Sequence, residues 1–339
     1  MDKHYPSIPH TTENCGHRCD RIQCVRFVRD YYSFLEVNVT MNVSQQIVNA
    51  ISLGAVYGLF SLGYAMVFSV LGVLNLAHSA IFMWGAFMGL LVVERAHLPI
   101  WVAFPAAMLG AGLMSVVLER VAFYMLRRRD APRISQLISS IGASILLVSI
   151  AEKMFQSIFH QQLEGFPEGI VPRNPIAADT LPFTVTPIQV VILIVALALM
   201  FLLQYTVTRT RTGSAMRAVA FNERIAALLG IHVGNIFMLT FFIAGALAGA
   251  AGVLFGLAFN VTPSMGDDIA LIGLTAMVLG GLGSIQGTVA GGFIVALLQT
   301  FSTALLSSSA RNAVVFIILF IILIIRPQGL MGQADATRA

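Results

Sequence analysis

Three stretches of this chain, residues 41–93, 225–266 and 269–310, contain no Lys, Arg, Asp or Glu. A helix rising ~1.5 Å per residue needs about 20 residues to cross ~30 Å of hydrocarbon, so each run is long enough for at least two crossings. The apolar residues are continuous and do not alternate, which points to helices and away from a barrel. With 57% hydrophobic and 11% charged residues, the chain lies far from the soluble average of roughly a quarter charged. The expected fold is an all-α polytopic transmembrane helical bundle with membrane lipid as its surroundings.

The apolar segments are 47–71, 76–93, 98–118, 134–151, 187–207, 234–260, 268–283, 286–306 and 312–325. The stretch GGLGSIQG at 280–287 is so rich in glycine that the seventh and eighth segments read either as two spans or as a broken or re-entrant pair, giving about eight to nine spans. Small residues recur four apart at Gly54 and Gly58, Gly85 and Gly89, Gly245 and Gly249, Gly252 and Gly256, and Gly287 and Gly291. That spacing gives a helix a smooth face for close backbone contact, the default way to join helices where lipid supplies no hydrophobic push.

Orientation follows from the basic residues of short loops, which stay in the cytoplasm. Arg120, Arg127, Arg128, Arg129 and Arg133 crowd one connection; Arg209, Arg211, Arg217 and Arg224 crowd another. Residues 152–186 between them carry Glu152, Glu164, Glu168 and Asp179 against Lys153 and Arg173, as an external loop would. An even number of crossings through the glycine-rich pair places the C-terminus, with Arg326, in the cytoplasm. The net charge of +4 reflects this topology and does not point to nucleic acid.

Residues 1–40 are polar and hold Cys15, Cys19 and Cys24 beside His17. The spacing matches no paired zinc-ligand pattern, and the segment reads as a disordered extension or a mis-assigned start ahead of a transmembrane domain at 41–331 and a short tail at 332–339. No GxxxxGK[ST] phosphate loop occurs, so the chain has no nucleotide cradle. No paired acids and bases run through the spans as an ion-coupled carrier requires, and no complete intramembrane protease motif is present. Transport energy is expected from a partner.

The connection at 208–232 is the natural lever. A helical run over 214–229 would place Met216, Val219, Ala220, Ala227 and Leu228 along apolar faces, with Arg217, Glu223 and Arg224 at intervals and Gly230 as the stop. The other distinctive group is Asn75, His78 and Ser79, polar side chains between apolar runs. Left unsatisfied in hydrocarbon they would cost several kcal/mol each, so they face protein or water. Path lining and a structural polar contact both fit them. Asp267 and Asp268 fit the first turn of a helix, where acids complement the dipole.

The loop sequence resembles the Glu-Ala-Ala…Gly coupling motif of ATP-binding cassette importer permeases, and residues 47–331 resemble the branched-chain amino acid permease family. The blocks that carry this are LGAVYGLFSLGYAMVFSVLGVLNLAHSAIFMWGA, RAVAFNERIAALLGIHV, FFIAGALAGAAGVLFG, VLGGLGSIQGTVAGG and the closing RPQGLMG. The chain departs from the wider motif at Arg224, in the placing of Ala226 and Ala227, and in lacking a following Leu-Pro pair. Leu76 and Ser79 stand where relatives have an aromatic residue and glycine.

The resemblance implies a permease subunit in a bacterial inner membrane, with a homologous second permease, two cytosolic ATPases and an external solute-binding protein delivering leucine, isoleucine or valine. It implies coupling through Arg217, Glu223, Arg224, Ala226, Ala227 and Gly230, a path near Asn75, His78 and Ser79, and no cofactor or metal on this chain. Rival readings are a urea or short-amide permease of the same family and an ATP-independent carrier or channel.

Overall fold

Long apolar runs must close their backbone hydrogen bonds within themselves, and the elements are accordingly helical. The computed structural model describes residues 21–129, 131–159, 165–167, 184–305, 311–326 and 328–332, with side chains from residue 43 onward, residue 159 apart. The chain divides into two units, residues 1–44 and 45–339. The expected cysteine site falls outside the residues and side chains described. So do most of the acidic connection and all but the first residue of the tail. Residues 21–40 of the polar extension run as helix.

The helices are α1 (Arg21–Leu71), α2 (His78–Glu94), α3 (Ile100–Leu118), α4 (Met125–Arg128), α5 (Arg133–Phe159), α6 (Pro187–Arg209), α7 (Arg211–Phe221), α8 (Glu223–Leu228), α9 (Val233–Ala258), α10 (Met265–Gly280), α11 (Ile285–Leu305) and α12 (Arg311–Ile325). A π-helical turn, Glu119–Tyr124, joins α3 to α4 without a break. Each apolar segment of the sequence corresponds to a helix. Among the described residues, six helical stretches are long and apolar enough to cross a membrane: Val43–Leu71, Ile100–Arg128, Arg133–Ile158, Pro187–Arg209, Val233–Ala258 and Ile285–Leu305. Helices α2 and α12 are apolar but shorter, and α10 is shorter still than the six and opens with two aspartates.

Burial sorts these helices into a centre and a rim. The most apolar window of α1 is 78% buried and that of α9 67%, against 28% for α3, 17% for α5 and 28% for α6. Rim helices turn Leu109, Leu113 and Val117 of α3, Ile145 and Leu146 of α5, and Phe201 of α6 outward, the surface a bilayer covers. The central helices touch through small residues. A Cβ built on Gly85 of α2 would lie 2.2 Å from the Cα of Gly249 in α9, and one on Gly249 would lie 2.5 Å from the Ala111 Cβ of α3. The four-apart glycines thus bring α2, α9 and α3 to backbone contact.

Helices α10 and α11 form a tight antiparallel pair, turning at 281–284 with positive φ at Gly281 and Gly283. A Cβ on Gly280 would sit 2.1 Å from the Gly287 carbonyl oxygen, so the GGLGSIQG stretch is a close helix-to-helix turn. The closing RPQGLMG segment seals it: the N–H groups of Leu330 and Met331 donate to the carbonyls of Leu279 and Gly280 at 2.9 and 3.0 Å. Those carbonyls belong to the last turn of α10 and would otherwise lack partners.

Replacing Gly85 with valine would force three atoms into the α2–α9 contact. Overpacking of this kind costs about 1–3 kcal/mol, and thermal unfolding in detergent is expected to shift down by several degrees relative to Gly142→Val, where a Cβ meets nothing within 4 Å.

Candidate functional site

The segment at 208–232, of a size for one or two short amphipathic helices, folds as two, without the continuous run over 214–229 that the apolar pattern suggested. The Thr210 hydroxyl accepts from the Gly213 N–H at 3.1 Å and starts α7. Asn222 then leaves helical geometry at φ −160°, ψ 111°. Its side-chain oxygen accepts from the N–H groups of Arg224 at 3.0 Å and Ile225 at 3.1 Å, capping α8. An amide that satisfies two otherwise free donors makes the break more favourable than continuing the helix. Gly230, at φ +85°, ends α8, and the Ile231 N–H reaches back to the Ala226 carbonyl at 3.1 Å.

The two faces of this unit differ from the expected pattern. Met216, Val219 and Ala226 are buried with Val70 of α1 and Phe237 of α9 in a small apolar cluster of their own. Ala220 and Ala227 are exposed, and Phe221 is 84% and Leu228 87% exposed, with Ile225 and Leu229 beside them. The outer face is thus more apolar than expected, with Glu223, Arg224 and Gly230 also on the surface. Arg217 turns back: its guanidinium donates to the Val207 carbonyl at the end of α6 and, at 3.2 Å, to Ser214.

A buried ion pair braces the base of this unit. Glu119, 0% exposed, lies in the π-helical turn and accepts from Arg127 at 2.8 Å. The Arg127 guanidinium stacks 3.9 Å from the Phe237 ring centroid, a favourable cation–π contact that ties the α3–α4 helix to the foot of α9. Arg127 also lines a cavity of about 1090 Å³ with Arg133, Asn222, Glu223, Arg224 and Gly283. The ends of α1, α4 and α8 and the α10–α11 turn therefore meet at one end of the bundle.

Asn75, His78 and Ser79 are all buried. The His78 N–H donates to the Asn75 carbonyl at 3.1 Å, and the Ser79 hydroxyl donates to the Leu76 carbonyl at 3.0 Å. Leu76 in turn donates its N–H to the Ser140 hydroxyl of α5 at 3.2 Å. This short break between α1 and α2 is thus held by α5, and α2 starts inside the bundle: His78 abuts Gly63, where a Cβ would lie 2.5 Å from its Nε2. Gly63 lies eight residues, roughly 12 Å, before the end of α1.

The imidazole is walled by rings. Its centroid is 5.1 Å from Phe60, in a stacked arrangement, and 4.8 Å from Tyr64, edge to face; Phe82 closes on Phe60 at 5.1 Å. Neither nitrogen meets hydrogen-bond geometry, although the Phe60 carbonyl is close enough to interact. Both amide atoms of Asn75 and the Tyr64 hydroxyl likewise lack partners among the described residues. Buried polar atoms in that state are costly unless water or a ligand meets them.

Sequence reasoning missed Tyr64 and a second polar chain. The Tyr57 hydroxyl donates to Gln299 of α11 at 2.9 Å, and Gln299 donates to Asn312 of α12 at 3.2 Å. The available signal for it was Gln299, an amide in the apolar middle-to-late part of α11. Tyr57 also borders a cavity of about 200 Å³ that includes Asp268 and Arg311. Asp267 and Asp268 both occupy the first turn of α10, as expected.

Comparison with known proteins adds the family. The model of the branched-chain amino acid transport system / permease component matches residues 46–325. The high-affinity branched-chain amino acid transport system permease protein LivH of Salmonella typhimurium is 32% identical over 306 residues, covering 87% of this chain and 97% of that protein. Its counterpart BraD of Pseudomonas aeruginosa is 31% identical over 307 residues, with 87% and 97% covered. Among solved structures, PsaBC from Streptococcus pneumoniae in complex with Fab aligns over 85% of this chain and 92% of that one, at 14% identity and TM-score 0.43, a distant likeness. The helical bundle, the coupling segment and the extent of these matches lead to one statement: the chain belongs to the branched-chain amino acid transport system permease family.

Proposed function

We propose that this chain is the membrane-spanning subunit of an ATP-binding cassette importer that moves leucine, isoleucine and valine by alternating access. The observation that carries the reading is the exposed face of α7 and α8. Phe221, Ile225, Leu228 and Leu229 stand out of the bundle beside Glu223 and Arg224, at the end away from the Leu53–Arg311 cavity. An apolar patch of this kind, rimmed by charge, is a protein-docking surface. An ATPase seated there can move the membrane helices because the inner face of the unit is packed on the ends of α1 and α9 through Val70 and Phe237.

The aromatic layer of Phe60, Tyr64, His78 and Phe82 is the closed gate. Along α1 it lies between Tyr57, which borders the cavity at one end, and Phe68, which borders the large cavity at the other. Solute passes when α1 and α2 part there, and the free donors and acceptors of Tyr64, Asn75 and His78 then meet a polar solute or water. All nine apolar helices cross, with α10 and α11 as two spans. The meeting of the α1, α4, α8 and α10–α11 ends around one cavity fits that alternation. The coupling end and Arg326 face the cytoplasm, by the excess of arginine there. A homologous second permease, two cytosolic ATPases and an external binding protein complete the machine, and this chain itself binds no cofactor.

Reconstitution tests the reading: leucine uptake into proteoliposomes is expected to require the ATPases, ATP and the binding protein together, and uptake by the purified chain alone would overturn it. Leu228→Asp is expected to leave the permease folded, since that side chain is 87% exposed, while copurifying ATPase falls about tenfold, on the scale of ~1–2 kcal/mol for a docking anchor. Glu223→Lys should keep assembly and ATP hydrolysis but lower the solute moved per ATP, because the helix-end charge is worth no more than ~1 kcal/mol to folding. His78→Phe is expected to cut uptake severalfold with assembly unchanged; wild-type uptake would remove His78 from the gate.

A further inference from the structure

The cavity bordered by Asp268 and Arg311 is not explained by packing. Its volume is about 200 Å³, roughly seven water volumes at ~30 Å³ each, the scale of a free amino acid and smaller than the ~300–1,000 Å³ of drug-sized sites. Leu53 of α1, Phe255 of α9, and Ile269 and Ile272 of α10 supply an apolar wall, while the two ionic side chains come from the first turns of α10 and α12.

These two charges share one small cavity yet form no ion pair with each other among the described residues. Tyr57 lines the same cavity, so both charged side chains share its wall with a buried hydroxyl-bearing ring. Asp268 is exposed and Arg311 half-buried, which leaves both reachable by a solute. Helix stability accounts for the aspartate, since an acid in the first turn complements the dipole. It does not account for Arg311, whose side chain borders the cavity with no salt bridge among the described residues.

Resting on the proposed function, we infer that this cavity is an entry subsite for a zwitterionic α-amino acid with an aliphatic side chain. Arg311 takes the carboxylate, for which its planar fork is suited, and Asp268 takes the ammonium. The side chain lies against Leu53, Ile269 and Ile272, where a branched aliphatic group removes its surface from water. The Tyr57–Gln299–Asn312 chain fixes the floor: it holds Tyr57 and anchors the residue that follows Arg311. A second cavity of about 240 Å³ shares Leu53 and Arg311 with the first, so Arg311 stands between two chambers and can hand the carboxylate from one to the other. Neutral urea or a short amide would leave both charges unanswered, and the subsite therefore selects amino acids over those solutes.

The test is radiolabelled leucine uptake by the complete complex in proteoliposomes with saturating binding protein, comparing Asp268→Asn and Arg311→Gln with the charge-keeping Asp268→Glu and Arg311→Lys. The neutral variants are expected to lose uptake about tenfold or more, the scale of a charged hydrogen bond, while the charge-keeping ones retain a substantial part and all assemble. Neutral variants within about twofold of wild type overturn the subsite, as does an equal loss in charge-keeping variants, which would mean packing alone. Should a neutral variant fail to assemble, thermal unfolding of the wild-type complex decides: leucine is expected to raise Tm, and leucinamide and isocaproate, each lacking one charge, are not. Equal shifts, or none, overturn the proposal. A wild-type complex that hydrolyses ATP but never moves leucine would instead overturn the functional reading on which the subsite rests.

Discussion

A peptide group in hydrocarbon has no water to bond, and almost every feature of this protein answers that constraint. Continuous helices satisfy it by default. The informative places are those where a helix stops inside the bundle, because each stop frees donors and acceptors that must be met some other way. At the α1–α2 break the Leu76 N–H goes to Ser140 and the His78 N–H to the Asn75 carbonyl. At the end of α10 the closing segment supplies the N–H groups of Leu330 and Met331. Between α9 and α10 the Met265 N–H returns to Thr262 at 3.2 Å.

Side chains are treated less evenly than the backbone. The amide of Asn75, the imidazole of His78 and the hydroxyl of Tyr64 are buried without hydrogen-bond partners among the described residues, directly beside a break where the N–H groups of Gly72, Leu76 and His78 are bonded. A core selected for stability alone would replace them, since apolar residues of similar shape cost nothing there. The pattern is that of a site whose partner is transient. In the proposed gate the neighbouring aromatic rings pack the closed layer around these polar atoms.

Much of this was legible in the residues. Apolar length located a helix at each of the nine apolar segments, the four-apart glycines marked the α2–α9–α3 contact, and the arginine-bearing loop marked the short helices α7 and α8. The sequence misled where a local hydrogen bond outweighed periodicity: Asn222 reads as one more polar position in a helix, yet its side-chain oxygen serves two N–H groups and splits the run. Periodicity grouped Met216, Val219, Ala220, Ala227 and Leu228 on apolar faces, but it cannot tell a face that meets the core, as Met216 and Val219 do, from one left exposed, as at Leu228. Tyr57, Tyr64, Gln299 and Arg311 come from helices far apart in sequence, and no spacing rule joins them.

The proposed coupling unit and the candidate entry cavity touch α1 at separate levels, and this helix is the most buried of the six long apolar spans. Val70 is embedded in the cluster under α7 and α8, while Leu53 and Tyr57, farther back along the helix, form the cavity wall. Between them Gly63 leaves room for His78, and Phe60 and Tyr64 face it. A small tilt or rotation of α1, driven from Val70, would therefore change the cavity and the aromatic layer together. A stiff rod with smooth, glycine-lined contacts transmits such a displacement without needing a chain of intermediate side chains. The Glu119–Arg127–Phe237 brace does the same for the foot of α9. Force applied at the proposed coupling unit would thus reach α1 and α9 at once, and α3, held to α9 by the same brace and by the glycine contacts, would move with them.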